Sequence, residues 1–264
     1  MYALRWLATG IRTRARSSWM RMLLPLALFA FALPSTAGEI TVLSGGAIEP
    51  GLRAVTAAFE KQSEHRARIT YNTAPQIQKR IEGGEIFDIV IAPQAVIDGL
   101  VKAGKVTAGG PGVGRVGLGV AVREGAPLPD IGTTQALKKS VLDADAIVFN
   151  RASTGVYFEG LLRKLDLWTA TEAKTTRYAD GASVLDHVKN GKGRDIAFAA
   201  ITEILLYKEK GFVFVGPLPA EIQNYTSYVA TPMSAGTNKE AAQALVRFLG
   251  GPAGKPLFVA AGIE

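Results

Sequence analysis

From residue 40 onward the chain alternates short apolar runs with amphipathic stretches, and few architectures accept that order. Ile40-Thr41-Val42-Leu43 reads as a strand, turned by Gly45-Gly46. Pro50 stands where a helix tolerates proline in its first turn, and Leu52, Val55 and Phe59 at i, i+3 and i+7 give that helix one apolar face. A second strand, Arg68 to Tyr71, precedes a helix over 76–82 that carries Ile77 and Ile81 and stops at Gly83-Gly84. Asp88 to Ala92 is a continuous apolar run, the signature of a strand buried on both faces, and another helix follows it. Strands separated by single helices predict βαβ units and parallel sheet.

Residues 109–114, Gly-Gly-Pro-Gly-Val-Gly, interrupt the alternation, and a long β run, 115–123, follows. The pattern then resumes with helices over 134–142, 155–165 and 182–189 and strands over 146–149, 175–178 and 195–200. A second long β run covers 225–231, and two helices, 238–249 and 253–261, close the chain. This order predicts two α/β lobes, 38–114 with 231–264 and 124–224, joined by hinge strands at 115–123 and 225–230. Ligands of open α/β sheets bind beyond the carboxyl ends of the strands, here across the cleft between lobes. The loops to watch are 44–47, 73–76, 150–155, 180–183 and 200–203.

Composition narrows the chemistry. The chain has no cysteine, which removes disulfides, thiolate metal sites and cysteine nucleophiles, and it has only His65 and His187. The net charge of +7 owes much to five arginines within residues 1–37; beyond them 25 basic residues face 23 acidic ones. That leaves no basic stripe for a nucleic acid to neutralise. The arginines precede twelve apolar residues, 22–33, and then Ser35-Thr36-Ala37, the pattern of a cleaved secretory signal over 1–37. Twelve residues span about 18 Å as a helix, short of a hydrocarbon core of about 30 Å. A periplasmic location follows.

Few motifs point to catalysis. Gly112-Val113-Gly114-Arg115-Val116-Gly117 matches the letters of a dinucleotide fingerprint, but a β run follows it where the mechanism requires a helix, so no cofactor is expected. Neither histidine has a nearby acid and hydroxyl partner, and no metal site is expected. Ser153-Thr154-Gly155 precedes a helix starting at Val156, where two hydroxyls and free NH groups make either an N-cap or a site for a polar ligand. Tyr157, Phe158, Tyr225 and Tyr228 read as core or hinge packing before cleft lining.

The order of motifs resembles the periplasmic molybdate-binding proteins of ABC transporters, within the type II extracellular solute-binding proteins. The resemblance rests on Ile40 to Ala47, on Arg80-Ile81-Glu82-Gly83-Gly84 with Phe87 to Ala92, and on Thr154-Gly155-Val156-Tyr157 with Leu161-Leu162. Asp195 to Phe198 leading to Thr202-Glu203, Phe248 to Pro252 and Ala261-Gly262-Ile263 extend it to the end. It implies a two-lobed fold, each lobe a mostly parallel sheet flanked by helices and joined by two hinge strands. It also implies capture of a small anionic solute for an ABC permease of the inner membrane, by a monomer, with no bond made or broken. The implied ligand contacts are Ser44, Gly46, Ala47, Thr73, Ala74, Gln76, Ser153, Thr154, Gly155, Ser183, Val184 and Ala200. The family places serines in its first two ligand loops and a tyrosine on its late strand; this chain has Ala47, then Thr73-Ala74-Pro75, then Ala199-Ala200. A hydrogen bond to a charged partner is worth roughly 1.5–3 kcal/mol. Losing two would weaken oxyanion binding by about 10²–10⁴-fold. A sensory ligand-binding module and an exported enzyme using the same cleft are the competing readings.

Overall fold

The computed structural model describes residues 38–207 and 210–264. The signal expected over 1–37 lies outside them. The chain begins β1 (Glu39–Gly45), α1 (Glu49–Gln62), β2 (Arg66–Asn72), α2 (Ala74–Glu82), β3 (Ile89–Pro93) and α3 (Gln94–Lys102). A long strand, β4 (Gly112–Arg123), leads to α4 (Thr134–Asp143), β5 (Ala146–Asn150), α5 (Ser153–Lys164), α6 (Trp168–Thr171), β6 (Thr175–Tyr178) and α7 (Gly181–Asn190). Then come β7 (Asp195–Ala200), α8 (Ile201–Tyr207), β8 (Phe212–Pro217), β9 (Tyr225–Pro232), α9 (Lys239–Gly250) and α10 (Lys255–Ala260). No helix among the described residues is long and apolar enough to cross a membrane.

The strands run in the order β2-β1-β3-β9-β4-β7-β5-β6, with β8 also paired to β4. At one end β1 pairs in parallel with β2 and β3; at the other β5 pairs in parallel with β6 and β7. The centre is antiparallel, and this departs from a purely βαβ reading. β9 returns against β3 and β4, and β4 runs against β7 and β8. β4 changes partners along its length: Gly112 to Gly117 pair with β9, and Leu118 to Arg123 with β7 and β8.

Each end of the sheet is covered on both faces, so its strands carry side chains to two cores. In β1, Ile40 and Val42 pack with Leu52, Val55, Leu245 and Leu249, while Leu43 packs with Ile77, Ile81 and Val90. In β5, Ile147 and Phe149 join a core built on Phe158 and Phe198, whose rings stack with centroids 3.7 Å apart. Val148 faces Val184, Leu185 and Val188 of α7. Phe158 is therefore core, and Tyr157 is tied to packing through its hydroxyl, which donates to the Ile222 carbonyl at 2.7 Å.

Asp88, where the sequence pattern starts the strand, lies one residue before β3 and is 3% exposed. Its Oδ2 accepts from the Thr41 NH and hydroxyl, both at 2.8 Å, and its Oδ1 accepts from the Thr237 and Asn238 NH groups at 3.1 and 2.9 Å. One carboxylate thus ties β1 to the start of α9, which has no side-chain cap of its own. Burial raises its pKa, but the hydrogen bonds from Thr41 and Asn238 outweigh that and hold it below the ordinary carboxylate value.

Candidate functional site

The carboxyl ends of strands from both ends of the sheet open on one cavity of about 310 Å³. Its first wall is the turn 46–48 running into α1, where Gly46, Ala47 and Glu49 face the cavity. The second is the start of α2, with Thr73, Ala74 and Gln76. Thr73 and Gln76 form a capping box: the Thr73 hydroxyl accepts from the Gln76 NH, and Gln76 Oε1 accepts from the Thr73 NH at 2.8 Å. The third is the start of α5, with Ser153 and Thr154, and the fourth the start of α7, with Asp180 and Ala182. Four helices of at least nine residues therefore present their first turns, and the positive ends of their dipoles, to one space.

Three of these helices begin earlier than the sequence pattern indicates, α2 at Ala74 among them, and this moves the NH donors. α5 starts at Ser153, not beyond it, with Ala152 at the N-cap position and the Asn150 side chain, two residues before it, as acceptor: its Oδ1 accepts from Ala152 NH at 3.0 Å and from the Thr154 hydroxyl and Gly155 NH at 3.2 Å each. Neither Ser153 nor Thr154 caps the helix. α7 starts at Gly181 under Asp180, whose Oδ1 accepts from Ser183 NH at 2.8 Å.

Of the twelve expected contacts, Gly46, Ala47, Thr73, Ala74, Gln76, Ser153, Thr154 and Ala200 line the cavity. Four do not. Ser44 is fully buried and donates to the Gly45 carbonyl at 3.2 Å. Val184 is fully buried in the core under α7, and Ser183 faces a separate shallow depression beside Tyr178 and His187. Gly155 has a packing reason for being glycine: a Cβ there would lie 1.6 Å from the Asn150 carbonyl oxygen. Gly155→Ala is expected to lower stability by about 2–3 kcal/mol through that overlap, measured by denaturant unfolding. A loss under 1 kcal/mol would mean that the β5–α5 turn moves aside freely.

The sequence reading passed over several groups on the wall. Tyr71, Asn72 and Tyr207 line the cavity from outside the loops marked in sequence; Asn150, Asp180 and Glu203 line it from within those loops but are not among the expected contacts, and Tyr228, read above as packing, lines it too. The pattern Asp-x-x-Ser at 180–183 is a legible N-cap signal. Glu203 carries no such signal, because its role depends on residues distant in the chain. α8 follows β7 with no intervening loop, which carries Glu203 back over the turn 46–48. The Thr202 hydroxyl beside it donates to the Ala47 carbonyl.

Among the described residues the lining includes no lysine, arginine or histidine. Glu49 is paired with Arg53 at 2.6 Å, and Asp180 meets the N-terminus of α7. Burial, reinforced by Asp180 and Glu49, pushes the Glu203 carboxyl up to about 7. Burial also raises the Tyr71, Tyr207 and Tyr228 phenols, so all three stay neutral donors. Among the described residues no three acids or histidines are grouped so as to hold a metal ion.

A family model for bacterial extracellular solute-binding proteins matches residues 40–264. An aconitate isomerase from a Pseudomonas species is 30% identical over 238 residues, covering 85% of this chain and 89% of that protein. The sulfate-binding protein of Mycobacterium tuberculosis superposes with a TM-score of 0.69 at 19% identity, covering 86% of each chain. The periplasmic molybdate-binding protein of Azotobacter vinelandii does so with a TM-score of 0.66 at 16% identity, covering 85% of this chain and 98% of that one. At these identities the two structures establish a shared two-lobed fold and leave the ligand open.

Proposed function

We propose a function for this chain, which belongs to the bacterial extracellular solute-binding protein family: it captures a small organic carboxylate between two lobes and, by hinge closure, delivers it to an ABC permease in the periplasm of its cell. The lobes are 38–114 with 231–264 and 124–224, and the hinge is 115–123 with 225–230. The exchange of partners along β4 supports that division. Export through the 1–37 signal and a monomeric state belong to the same reading.

The observation that carries the ligand class is the convergence of four helix N-termini on a cavity whose lining, among the described residues, has no cationic side chain. Each N-terminus is equivalent to roughly half a positive charge. Together they oppose Asp180 and Glu203 and favour an anion that spreads its charge over several groups. Size points the same way. The cavity, about 310 Å³ before any closure, has room for a ligand larger than a tetrahedral oxyanion. A tricarboxylate reaches several walls at once. Aconitate, named in the relative's activity, is such a molecule.

The test is a thermal-shift screen of residues 38–264 against trans-aconitate, tricarballylate, succinate and molybdate. A ligand at 100 times its Kd adds about 2.7 kcal/mol to stability, and about 2–4 °C per kcal/mol is expected at this size, so a bound carboxylate raises Tm by roughly 5–10 °C. No shift with any carboxylate sinks the reading. A second reading, isomerisation of an unsaturated carboxylate, is supported by the relative's name and by a carboxyl near neutrality on the cavity wall. Incubation with cis-aconitate, followed by NMR, decides between them: appearance of the trans isomer makes the chain an enzyme, and an unchanged spectrum with bound ligand leaves it a binder.

A further inference from the structure

Glu203 sits where the two lobes meet. Its Oε2 lies 2.2 Å, and its Oε1 3.0 Å, from the position a Cβ would take at Gly181, the first residue of α7. Oε1 also lies 3.6 Å from the corresponding position at Gly46, in the turn before α1. Glycine at 181 therefore makes room for this carboxyl against the N-terminus of α7. The adjacent Thr202 is bonded to Ala47, which fixes the start of α8 against the opposite wall.

The charged and titratable groups around Glu203 come from each neighbouring element. Glu49 and Arg53 lie on α1, Asp180 caps α7, Tyr228 projects from β9 and Tyr207 follows on α8 itself. Among the described residues, Arg53 is the cation in this group; it lies by Tyr207, is paired with Glu49 and is absent from the cavity lining. Burial, with Asp180 and Glu49, favours the neutral form of Glu203 and outweighs the opposing pull of the α7 N-terminus and of the Ala200 backbone hydrogen bond; an anionic ligand placed beside it favours that form further. A neutral carboxyl is a hydrogen-bond donor; an ionised one accepts only.

We propose that Glu203 is the specificity-determining residue of the cleft: its neutral carboxyl donates a hydrogen bond to a ligand carboxylate, so the cleft takes up its ligand together with a proton. This rests on the carboxylate reading of the site. When Glu203 is ionised it opposes the same ligand, so binding weakens as pH rises through its titration.

The test is calorimetry of trans-aconitate with residues 38–264, wild type and E203Q, at pH 6 and pH 8.5. With half-titration near pH 7, the neutral fraction falls from about 0.9 to about 0.03 across that range. The wild-type Kd then rises by about 30-fold. E203Q, whose amide donates at either pH, is expected to give one Kd at both, and this separates Glu203 from every other titrating group. Binding whose wild-type affinity is the same at both pH values overturns the inference and leaves the carboxylate reading standing, as does a dependence that survives in E203Q. Absence of binding at either pH overturns the carboxylate reading and this inference with it. A carbon-13 titration of labelled glutamate in the ligand-free protein, with Glu203 assigned from E203Q, is a second check. A midpoint below pH 5 overturns the inference whatever the calorimetry gives.

Discussion

Asp88→Ala is expected to lower the stability of the folded protein by about 3–5 kcal/mol, the order for several buried donors that lose one charged acceptor. Asp88 is 3% exposed, and its hydrogen-bond donors are chiefly backbone NH groups and a threonine hydroxyl, with no cation among them. Alanine leaves the NH groups of Thr41, Thr237 and Asn238 without an acceptor, at about 1–3 kcal/mol for each that water does not reach. It also removes the negative charge from the N-terminus of α9. Because α9 buries Leu245, Val246 and Leu249 against β1 and α1, loosening its start exposes one of the cores beneath the cavity. Denaturant unfolding of residues 38–264 measures the loss, and a change below 1 kcal/mol would show that the tie is dispensable.

The same carboxylate sets an acid limit. Its pKa in the folded state lies below that of the unfolded chain, so folding releases a proton from it. Its contribution is complete above the ordinary carboxylate pKa of about 3.9 and is lost as pH falls through the depressed folded value. Glu203 acts in the opposite sense. Its raised pKa means that the folded protein holds a proton the unfolded chain releases, so stability declines between about pH 4.5 and about 7.

Much of this fold is legible in the sequence because local signals and the global pattern agree. The run Ile89 to Ala92 is buried on both faces, and Pro50 falls in the first turn of α1. Thr73 and Gln76 form a cap whose two residues stand in the order the capping rule requires. What escaped notice has a common cause. β8 pairs only with the outer half of β4, so its alternation is irregular and Val213 and Val215 remain partly exposed. The antiparallel centre depends on where β9 returns, which no local pattern encodes. Asn150 caps α5 from outside the serine–threonine pair that draws attention in sequence. Glu203 gains its character from Gly46, Asp180 and Gly181, brought to it only by the tertiary fold. Cavity walls built from helix starts are readable; side chains that reach in from another part of the chain are not.

Molybdate is expected to bind this protein with a Kd above micromolar, and a tricarboxylate to bind at least about 100-fold more tightly. The first half follows from the hydroxyls. Ala47 and Ala200 offer no side-chain donor, and the Thr154 hydroxyl donates to Asn150 at 3.2 Å. Ser153 and Thr73 keep hydroxyl protons for a ligand, but they stand on opposite walls. Two missing charged hydrogen bonds at roughly 1.5–3 kcal/mol each account for a loss of about 10²–10⁴-fold. The second half follows from reach. A tricarboxylate carries three charged groups to share among the four helix starts, where a tetrahedral ion is a single compact charge, and Ala74, Pro93, Ala200 and Tyr228 of the lining are there for its carbon skeleton. Low-salt calorimetry at pH 6, where Glu203 is largely neutral, compares the two ligands directly. Submicromolar molybdate binding would show that the backbone NH groups suffice without hydroxyls, and the carboxylate assignment would then lose its argument from the alanines.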